Sequence, residues 1–187
     1  MQAKPAIVVM GVCGVGKSLI ADRIARHLGV DMVEADDFHS AANRQKMAQG
    51  IALSDADRTP WLNTVAETAL EHCTNGEGVV VACSSLRRSY RDLLKGVLDP
   101  CVFVHLTGER ALIEQRLTER KDHFVGKALL ESQLKTLEPL QAGEPGFPID
   151  ISLAVDEVVE GALEGLRKNL PDATVLRPKE NSIQNGG

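Results

Sequence analysis

The sequence GVCGVGKS, residues 11–18, follows the apolar run AIVVM at residues 6–10 and precedes a segment whose apolar residues recur at helical spacing. It fits the pattern G-x-x-x-x-G-K-[ST], in which glycines let backbone N–H groups converge on a phosphate at a helix N-terminus. In this pattern Lys17 reaches the β and γ phosphates, and Ser18 supplies its hydroxyl to Mg²⁺. The sequence therefore predicts a strand, a nucleotide-phosphate loop and a helix, against the alternative of a glycine turn before an ordinary helix.

Short apolar runs alternate with helical patterns along the rest of the chain. The predicted strands cover residues 6–10, 31–35, 79–83, 101–107 and 149–152. Pro60 and Trp61 are predicted to open a helix, the segment around DHFVG at 122–126 to break a helical pattern, and Pro145, Gly146 and Pro148 to mark a loop. Strands that alternate with helices form a parallel sheet covered on both faces, so we predict an α/β fold. A single domain built around the phosphate loop is predicted over residues 1–170. The long segments at 36–60 and 116–140 are candidates for an acceptor-binding region and a lid, respectively. Residues 171–187 lose periodicity and are predicted to form a loose tail.

Composition excludes several classes of protein. The net charge of −5 and the 3% aromatic content argue against a nucleic-acid or anionic membrane surface. The longest apolar runs are too short for a membrane span. The four cysteines lack C-x-x-C spacing, which is typical of reduced thiols in a cytosolic protein. We therefore expect a cytoplasmic protein with neither a nucleic-acid nor a membrane partner.

Other segments narrow the class of nucleotide-binding protein. A GTPase would carry an N-K-x-D segment, which this sequence lacks. A motor ATPase would have an acidic residue at the end of an apolar strand, whereas VVVAC at 79–83 runs into Ser84 and Ser85. A small kinase that uses ATP and Mg²⁺ to phosphorylate a metabolite fits these observations best. The alternative from another class is a nucleotide-binding regulator without phosphoryl transfer.

Acidic residues follow the second predicted strand, in VEADDFH at 33–39. Ligands of parallel sheets gather beyond the carboxyl ends of the strands, and strand alternation points Glu34 and Asp36 to the same side. We assign Asp36 as the base that accepts the proton of an attacking hydroxyl, and Glu34 to the shell of the metal ion. The spacing equally allows Asp36 or Asp37 to cap a helix N-terminus.

Arginines supply the candidate anion ligands. Arg116 and Arg120 are four residues apart, on one face of a predicted helix, where a lid could carry them over ATP. The alternative is a solvated charged face paired with nearby glutamates. Arg58, Arg87 and Arg88 could bind an anionic acceptor or could be surface residues, and the sequence does not choose between these interpretations.

Taken together, these segments resemble the gluconokinase family of small P-loop kinases. The resemblance covers about residues 6–170 and is carried, in family order, by GVCGVGKS, EADDFHSAANRQKMAQGIALSDADRTPWL, CSSLRRSYRDLL and RLTERKDHFVGKALLESQLKTLE. It implies a P-loop kinase fold with a five-stranded parallel sheet, a mobile helical lid and often a homodimer. It also implies transfer of the ATP γ-phosphoryl group to the 6-hydroxyl of D-gluconate. Another small hydroxy acid, such as shikimate, is the alternative acceptor.

The resemblance also assigns residues. It places ATP on the loop and on two lid arginines: Gly11, Val12, Cys13, Gly14, Val15, Gly16, Lys17, Ser18, Arg116 and Arg120. Catalysis falls to Asp36, Lys17 and Arg120, and Mg²⁺ to Ser18 and Glu34. Acceptor binding falls to Asp36, His39, Arg58, Arg87, Arg88 and His123. The chain departs from the family at Cys13, Glu34, Ala35 and Ser40, and none of these departures removes a reacting group.

Overall fold

A five-stranded parallel sheet forms the centre of the molecule. The structure is a computed structural model that describes residues 4–75, 78–119 and 123–170. The strand order is β2-β3-β1-β4-β5, and each pairing is parallel. The strands are β1 (Ala6–Met10), β2 (Asp31–Glu34), β3 (Val79–Ala82), β4 (Cys101–Thr107) and β5 (Gly146–Asp150). The predicted five-stranded parallel sheet is therefore confirmed.

Helices cover both faces of this sheet. They are α1 (Lys17–Leu28), α2 (Ala41–Ala48), α3 (Asp55–Asn75), α4 (Arg88–Val97), α5 (Arg110–Thr118), α6 (His123–Thr136) and α7 (Val155–Asn169). A short 3-10 turn, Ala35–Phe38, follows β2. None of the helices in the described ranges is long and apolar enough to cross a membrane.

The central strand β1 is buried on both faces, which is why its sequence is continuously apolar. Ile7 and Val9 belong to one core cluster, together with residues of α1 and α7. The alternate residues Ala6, Val8 and Met10 belong to a second cluster, together with residues of α3 and α4. The sheet thus separates two cores, and the loops at its carboxyl edge are held by both.

The last strand differs from its prediction. The segment around Pro145, Gly146 and Pro148 was predicted to be a loop followed by a strand at 149–152, but β5 runs from Gly146 to Asp150. In the sheet β5 pairs only with β4, and Pro148 lies opposite His105. A proline is tolerated on an edge strand because its missing N–H group can face away from the ladder.

Helix α3 also differs from its prediction. We predicted that it opens at Pro60 and Trp61, but it begins at Asp55. The Ser54 hydroxyl accepts from the backbone N–H of Asp57 at 3.2 Å, and the Asp57 carboxylate accepts from the backbone N–H of Ser54 at 2.9 Å. This reciprocal pair is a capping box, and the sequence S-x-x-D at 54–57 is its signature.

The segment DHFVG was predicted to break the helical pattern at 122–126, but α6 already begins at His123. Residues 120–122 and the predicted tail at 171–187 lie outside the described residues.

Candidate active site

The phosphate loop has the predicted context, because it connects β1 directly to α1. Gly14 and Gly16 both have positive φ, at 86° and 92°, a conformation that residues with a Cβ rarely adopt. A Cβ on Gly14 would lie 2.9 Å from Cγ of Leu117 and 3.1 Å from Cγ2 of Ile113, both on α5. The loop therefore needs glycine at residue 14 for close packing against α5 as well as for its backbone conformation.

Lys17 begins α1 and turns back onto the loop. Its Nζ donates a hydrogen bond to the carbonyl oxygen of Val12 at 3.1 Å. Burial lowers the pKa of Lys17, and the negative charge of Asp36 is the strongest effect in the opposite direction. Lys17 and Asp36 are therefore in electrostatic reach of each other. Ser18 is exposed in the first turn of α1.

Asp36 lies in the 3-10 turn, and contacts from two helices hold the backbone of this turn. The indole Nε1 of Trp61, on α3, donates to the carbonyl oxygen of Ala35 at 2.7 Å. The guanidinium of Arg44, on α2, donates to the carbonyl oxygens of Asp37 at 2.8 Å and His39 at 3.1 Å. The Asp36 side chain itself is 81% exposed. A fixed backbone thus presents a solvent-facing carboxylate.

The cap of helix α2 belongs to a different residue. The hydroxyl of Ser40 accepts from the backbone N–H of Asn43 at 3.1 Å. Because Ser40 caps α2, neither Asp36 nor Asp37 is needed for that purpose. Ser40, one of the departures from the family pattern, thereby has a structural explanation.

His39 lies beside Asp36 and is almost fully enclosed. Its ring stacks on Trp61 with centroids 4.2 Å apart, and its side chain is 7% exposed. Nε2 of His39 is 3.8 Å from Oδ1 of Asp36, and Nδ1 is buried without a partner among the described residues. Burial lowers the pKa of His39 despite the opposing charge of Asp36. The lowered pKa favours the neutral imidazole, which can exchange hydrogen bonds with a hydroxyl group.

Arg58 and Arg87 converge on one aromatic ring, that of Tyr90. Their guanidinium carbons lie 5.7 Å and 6.0 Å from the ring centroid. Arg58 Nη1 donates to the Tyr90 hydroxyl at 3.1 Å, and Arg87 Nη1 donates to Asp55 Oδ2 at 2.8 Å. The Tyr90 hydroxyl donates to the other oxygen of Asp55. We call Asp55, Arg58, Arg87 and Tyr90 the arginine cluster.

The third candidate acceptor ligand, Arg88, does not join this cluster. Its guanidinium donates to Gln141 at 2.9 Å and lies 3.7 Å from Asp92, and its backbone N–H donates to Glu138 at 2.7 Å. Arg88 therefore binds the segment between α6 and β5. The sequence does not distinguish Arg87 from Arg88, because adjacent residues at a helix start do not reveal which of them faces the site.

Arg91 is a site-supporting residue that sequence analysis missed. Its side chain is 1% exposed and forms a two-point ion pair with Glu144, at 2.6 and 3.0 Å. It also donates to the carbonyl oxygens of Ser85, Leu86 and Glu138. Ser85 has a φ of 45°, the one described non-glycine residue with a positive value. Arg91 thus fixes the loop between β3 and α4, from which Arg87 extends.

Arg116 of α5 borders a shallow apolar groove beside the phosphate loop. Its Nη2 donates to the carbonyl oxygen of Ile151 at 2.8 Å. The groove also includes Leu19 and Leu153, which are 47% and 49% exposed. Nothing in the sequence pattern predicted this groove. Arg120 and the side chain of His123 lie outside the described residues, so the predicted pair of lid arginines stays a prediction.

Comparison with known proteins places these features in a family context. The model of an AAA domain matches residues 7–140. A gluconokinase from Arabidopsis thaliana is 41% identical, covering 88% of this chain and 93% of the relative. A gluconokinase from Gluconobacter oxydans is also 41% identical, covering 86% and 90%. The crystal structure of a gluconokinase from Sinorhizobium meliloti superposes with a TM-score of 0.80 at 38% identity, covering 90% of this chain and 94% of that one.

Proposed function

The chain belongs to the gluconokinase family of P-loop kinases, and on that premise we propose that it transfers the γ-phosphoryl group of ATP to the 6-hydroxyl of D-gluconate. The products are 6-phosphogluconate and ADP. The observation that carries the acceptor assignment is the convergence of Arg58 and Arg87 on Tyr90, together with the effect of the Arg58 charge on His39. A sugar acid has a carboxylate for these arginines and a primary alcohol for Asp36.

Electrostatic effects connect the phosphate loop with the arginine cluster through Lys17, Asp36 and His39. The charge of Asp36 acts both on Lys17 and on His39. The charge of Arg58 in turn helps to lower the pKa of His39. An acceptor whose carboxylate is bound at the arginines would extend past His39 towards Asp36. Such anchoring at one end places the far hydroxyl for in-line attack.

Asp36 serves as the general base in this proposal. Its exposed carboxylate accepts the proton of the 6-hydroxyl as the oxygen attacks the γ-phosphorus. Lys17 leaves the Val12 carbonyl and neutralises charge on the β and γ phosphate oxygens. His39, held neutral against Trp61, hydrogen-bonds an acceptor hydroxyl and orients the chain of the sugar acid.

The available donors fit a magnesium ion that is held mainly by phosphates and water. Ser18 offers a hydroxyl and Glu34 a carboxylate, the oxygen ligands that Mg²⁺ prefers. Within the described residues, no group of three or more His, Cys, Asp or Glu side chains could hold a metal ion. Mg²⁺ bound with ATP would neutralise charge on the transferring phosphoryl group.

The groove beside Arg116 fits the adenine base. Leu19 and Leu153 offer apolar contacts to its faces, and the planar guanidinium of Arg116 can stack on it. We propose that the segment 116–140 acts as the lid and that Arg120 and His123 act from it on ATP and on the acceptor. A lid over the reacting groups would exclude water and suppress hydrolysis of ATP.

We also propose a homodimer in the cytoplasm. The family resemblance supports the dimer, and the thiols of Cys73, Cys83 and Cys101, which form no disulfide among the described residues, support a reducing compartment. Burial raises the pKa of Cys73 and Cys83 to about 11 and that of Cys101 to about 12, so these thiols are poor nucleophiles. Analytical ultracentrifugation would test the dimer.

The decisive experiment measures ADP release from Mg-ATP with D-gluconate, shikimate, glucose, AMP or no acceptor. Turnover confined to D-gluconate is the expected result. Turnover with shikimate would keep the kinase and change its acceptor. ATP binding without any acceptor-dependent turnover would favour a nucleotide-binding regulator.

A further inference from the structure

The arginine cluster contains more positive charge than its single carboxylate balances. Arg58 and Arg87 contribute two cations, and Asp55 contributes one anion. The N-terminal ends of α3 and α4, which begin at Asp55 and Arg88, add partial positive charge from their unpaired N–H groups. The other acidic residue in the first turn of α3, Asp57, is bound to Lys46 at 2.7 Å and does not serve the cluster.

Asp55 occupies the place that a bound carboxylate would take. One of its oxygens accepts from Arg87, and the other accepts from the Tyr90 hydroxyl, which itself accepts from Arg58. One carboxylate of the chain thus binds Arg87 directly and Arg58 through the Tyr90 hydroxyl. A sugar acid that approaches the same two arginines offers the same chemical group.

Asp55 can also give way to such a ligand. Its side chain is 57% exposed, and that of Arg87 is 40% exposed, so water reaches the ion pair. Exposed ion pairs contribute little stability, and the freed Asp55 would be rehydrated at the surface. The phenol ring of Tyr90 is buried, with 7% exposure, and keeps both arginines in place during the exchange.

We propose that Asp55 is an internal counter-ion that competes with the acceptor carboxylate for Arg87 and Tyr90, and so determines specificity for acids. This inference rests on the proposed function, because it assumes a hydroxy-acid acceptor. A neutral polyol cannot replace Asp55, since the arginines would lose a charged partner and gain none. The same competition weakens the binding of the acid itself.

The test compares Asp55→Asn with the wild-type protein, using Asp92→Asn as the matched control. Asp92 is also an exposed aspartate near an arginine, but it pairs with Arg88 outside the cluster. The acceptors are D-gluconate, shikimate as a second hydroxy acid, and D-glucitol, in which a neutral CH₂OH group replaces the carboxylate of D-gluconate. KM and kcat are measured at low and high potassium chloride, and binding of each compound is measured by calorimetry.

We expect Asp55→Asn to lower KM and Kd for D-gluconate by about threefold to tenfold, because a competing charge is removed. The salt dependence of both constants should steepen, because the cluster gains one net positive charge. D-glucitol should gain no affinity, and Asp92→Asn should behave as the wild type. A purely structural contribution of Asp55 would not steepen the salt dependence.

A higher or unchanged KM in Asp55→Asn, with wild-type turnover of D-gluconate intact, would overturn the inference and leave the proposed function standing. Suppose instead that the wild type shows no turnover of D-gluconate but Asp55→Asn binds another hydroxy acid, such as shikimate, more tightly than the wild type does. That result would overturn the proposed function and leave the inference standing. No binding of either acid to either protein would overturn both.

Discussion

At the scale of single residues, the candidate site combines a backbone held by hydrogen bonds with side chains that are exposed to solvent. Trp61 and Arg44 hold the backbone of the 3-10 turn, whereas the Asp36 carboxylate is free to meet a ligand. The same division recurs in the arginine cluster, where a buried Tyr90 supports two partly exposed guanidinium groups. Rigid support beneath solvent-facing chemistry is what positioning of an acceptor requires.

Asp36→Asn tests the general base. The amide keeps the size of the side chain but cannot take the proton of the 6-hydroxyl, so kcat should fall by about 10²- to 10⁴-fold. ATP binding, measured by calorimetry, should be retained. Asp37→Asn changes the adjacent exposed carboxylate and should leave kcat near the wild-type value. Turnover of Asp36→Asn close to that of Asp37→Asn would assign the base elsewhere.

At the scale of elements, the sequence predicted which segments form strands more accurately than it predicted where strands and helices begin and end. β1 and β3 are continuously apolar, and β4 is apolar except for His105 and Thr107, so their limits are visible in the pattern. The limits of β5 and α3 were wrong because Pro148 and Pro60 were interpreted as boundaries. Whether a proline is tolerated depends on its neighbours in space, such as the unpaired side of an edge strand, and these are not visible in a local pattern.

Gly14→Ala tests the packing of the phosphate loop against α5, with Gly16→Ala as its control. Both glycines have positive φ, so each alanine should cost about 1 to 2 kcal/mol of backbone strain. Of these two glycines, Gly14 lacks room for a Cβ, whereas nothing lies within 4 Å of the corresponding position at Gly16. In urea unfolding, Gly14→Ala should therefore be less stable than Gly16→Ala by about 1 to 3 kcal/mol. Equal losses would show that the loop can move away from Leu117.

The buried pair of Arg91 and Glu144 tests how α4 is tied to the segment before β5. Arg91→Met leaves the Glu144 carboxylate buried without its cation, so the free energy of unfolding should fall by about 3 to 5 kcal/mol. Adding Glu144→Gln should restore part of the loss, since the uncompensated charge is removed. Arg110→Met, which removes exposed ion pairs with Glu114 and Glu131, should leave the free energy of unfolding close to the wild-type value. A double variant no more stable than Arg91→Met would contradict this explanation.

At the scale of the whole molecule, the candidate site contains several cationic side chains although the net charge of the chain is negative. The chain carries a net charge of −5, yet the proposed anion ligands Lys17, Arg58 and Arg87 lie in the segments that follow β1, β2 and β3. The sequence named Arg58 and Arg87 but not their partners, because Asp55 and Tyr90 are 35 positions apart and meet only when α3 packs on α4. The phosphate loop was predictable because all its parts are contiguous.

The same burial that builds the sheet makes stability depend on pH. His105 lies in β4 with 4% exposure, and burial together with the charge of Arg91 lowers its pKa from 6.5 to about 4. Between these values the unfolded chain binds a proton at His105 that the folded chain does not. Stability should therefore fall as the pH drops from about 6.5 to about 4, by roughly 3 kcal/mol for this residue. His39 acts in the same direction, because its pKa is also lowered.

Urea unfolding of wild type and His105→Gln at a series of pH values would test this expectation. Glutamine does not titrate, so the free energy of unfolding of His105→Gln should depend on pH less steeply than that of the wild type over this window. The absolute stability of the variant matters less than this slope, since the substitution itself disturbs the core. His27→Gln, on the exposed face of α1, is the matched control and should keep the wild-type slope. Parallel curves for wild type and His105→Gln would mean that His105 accepts its proton without opposing the folded state, and that the acid sensitivity arises from other groups.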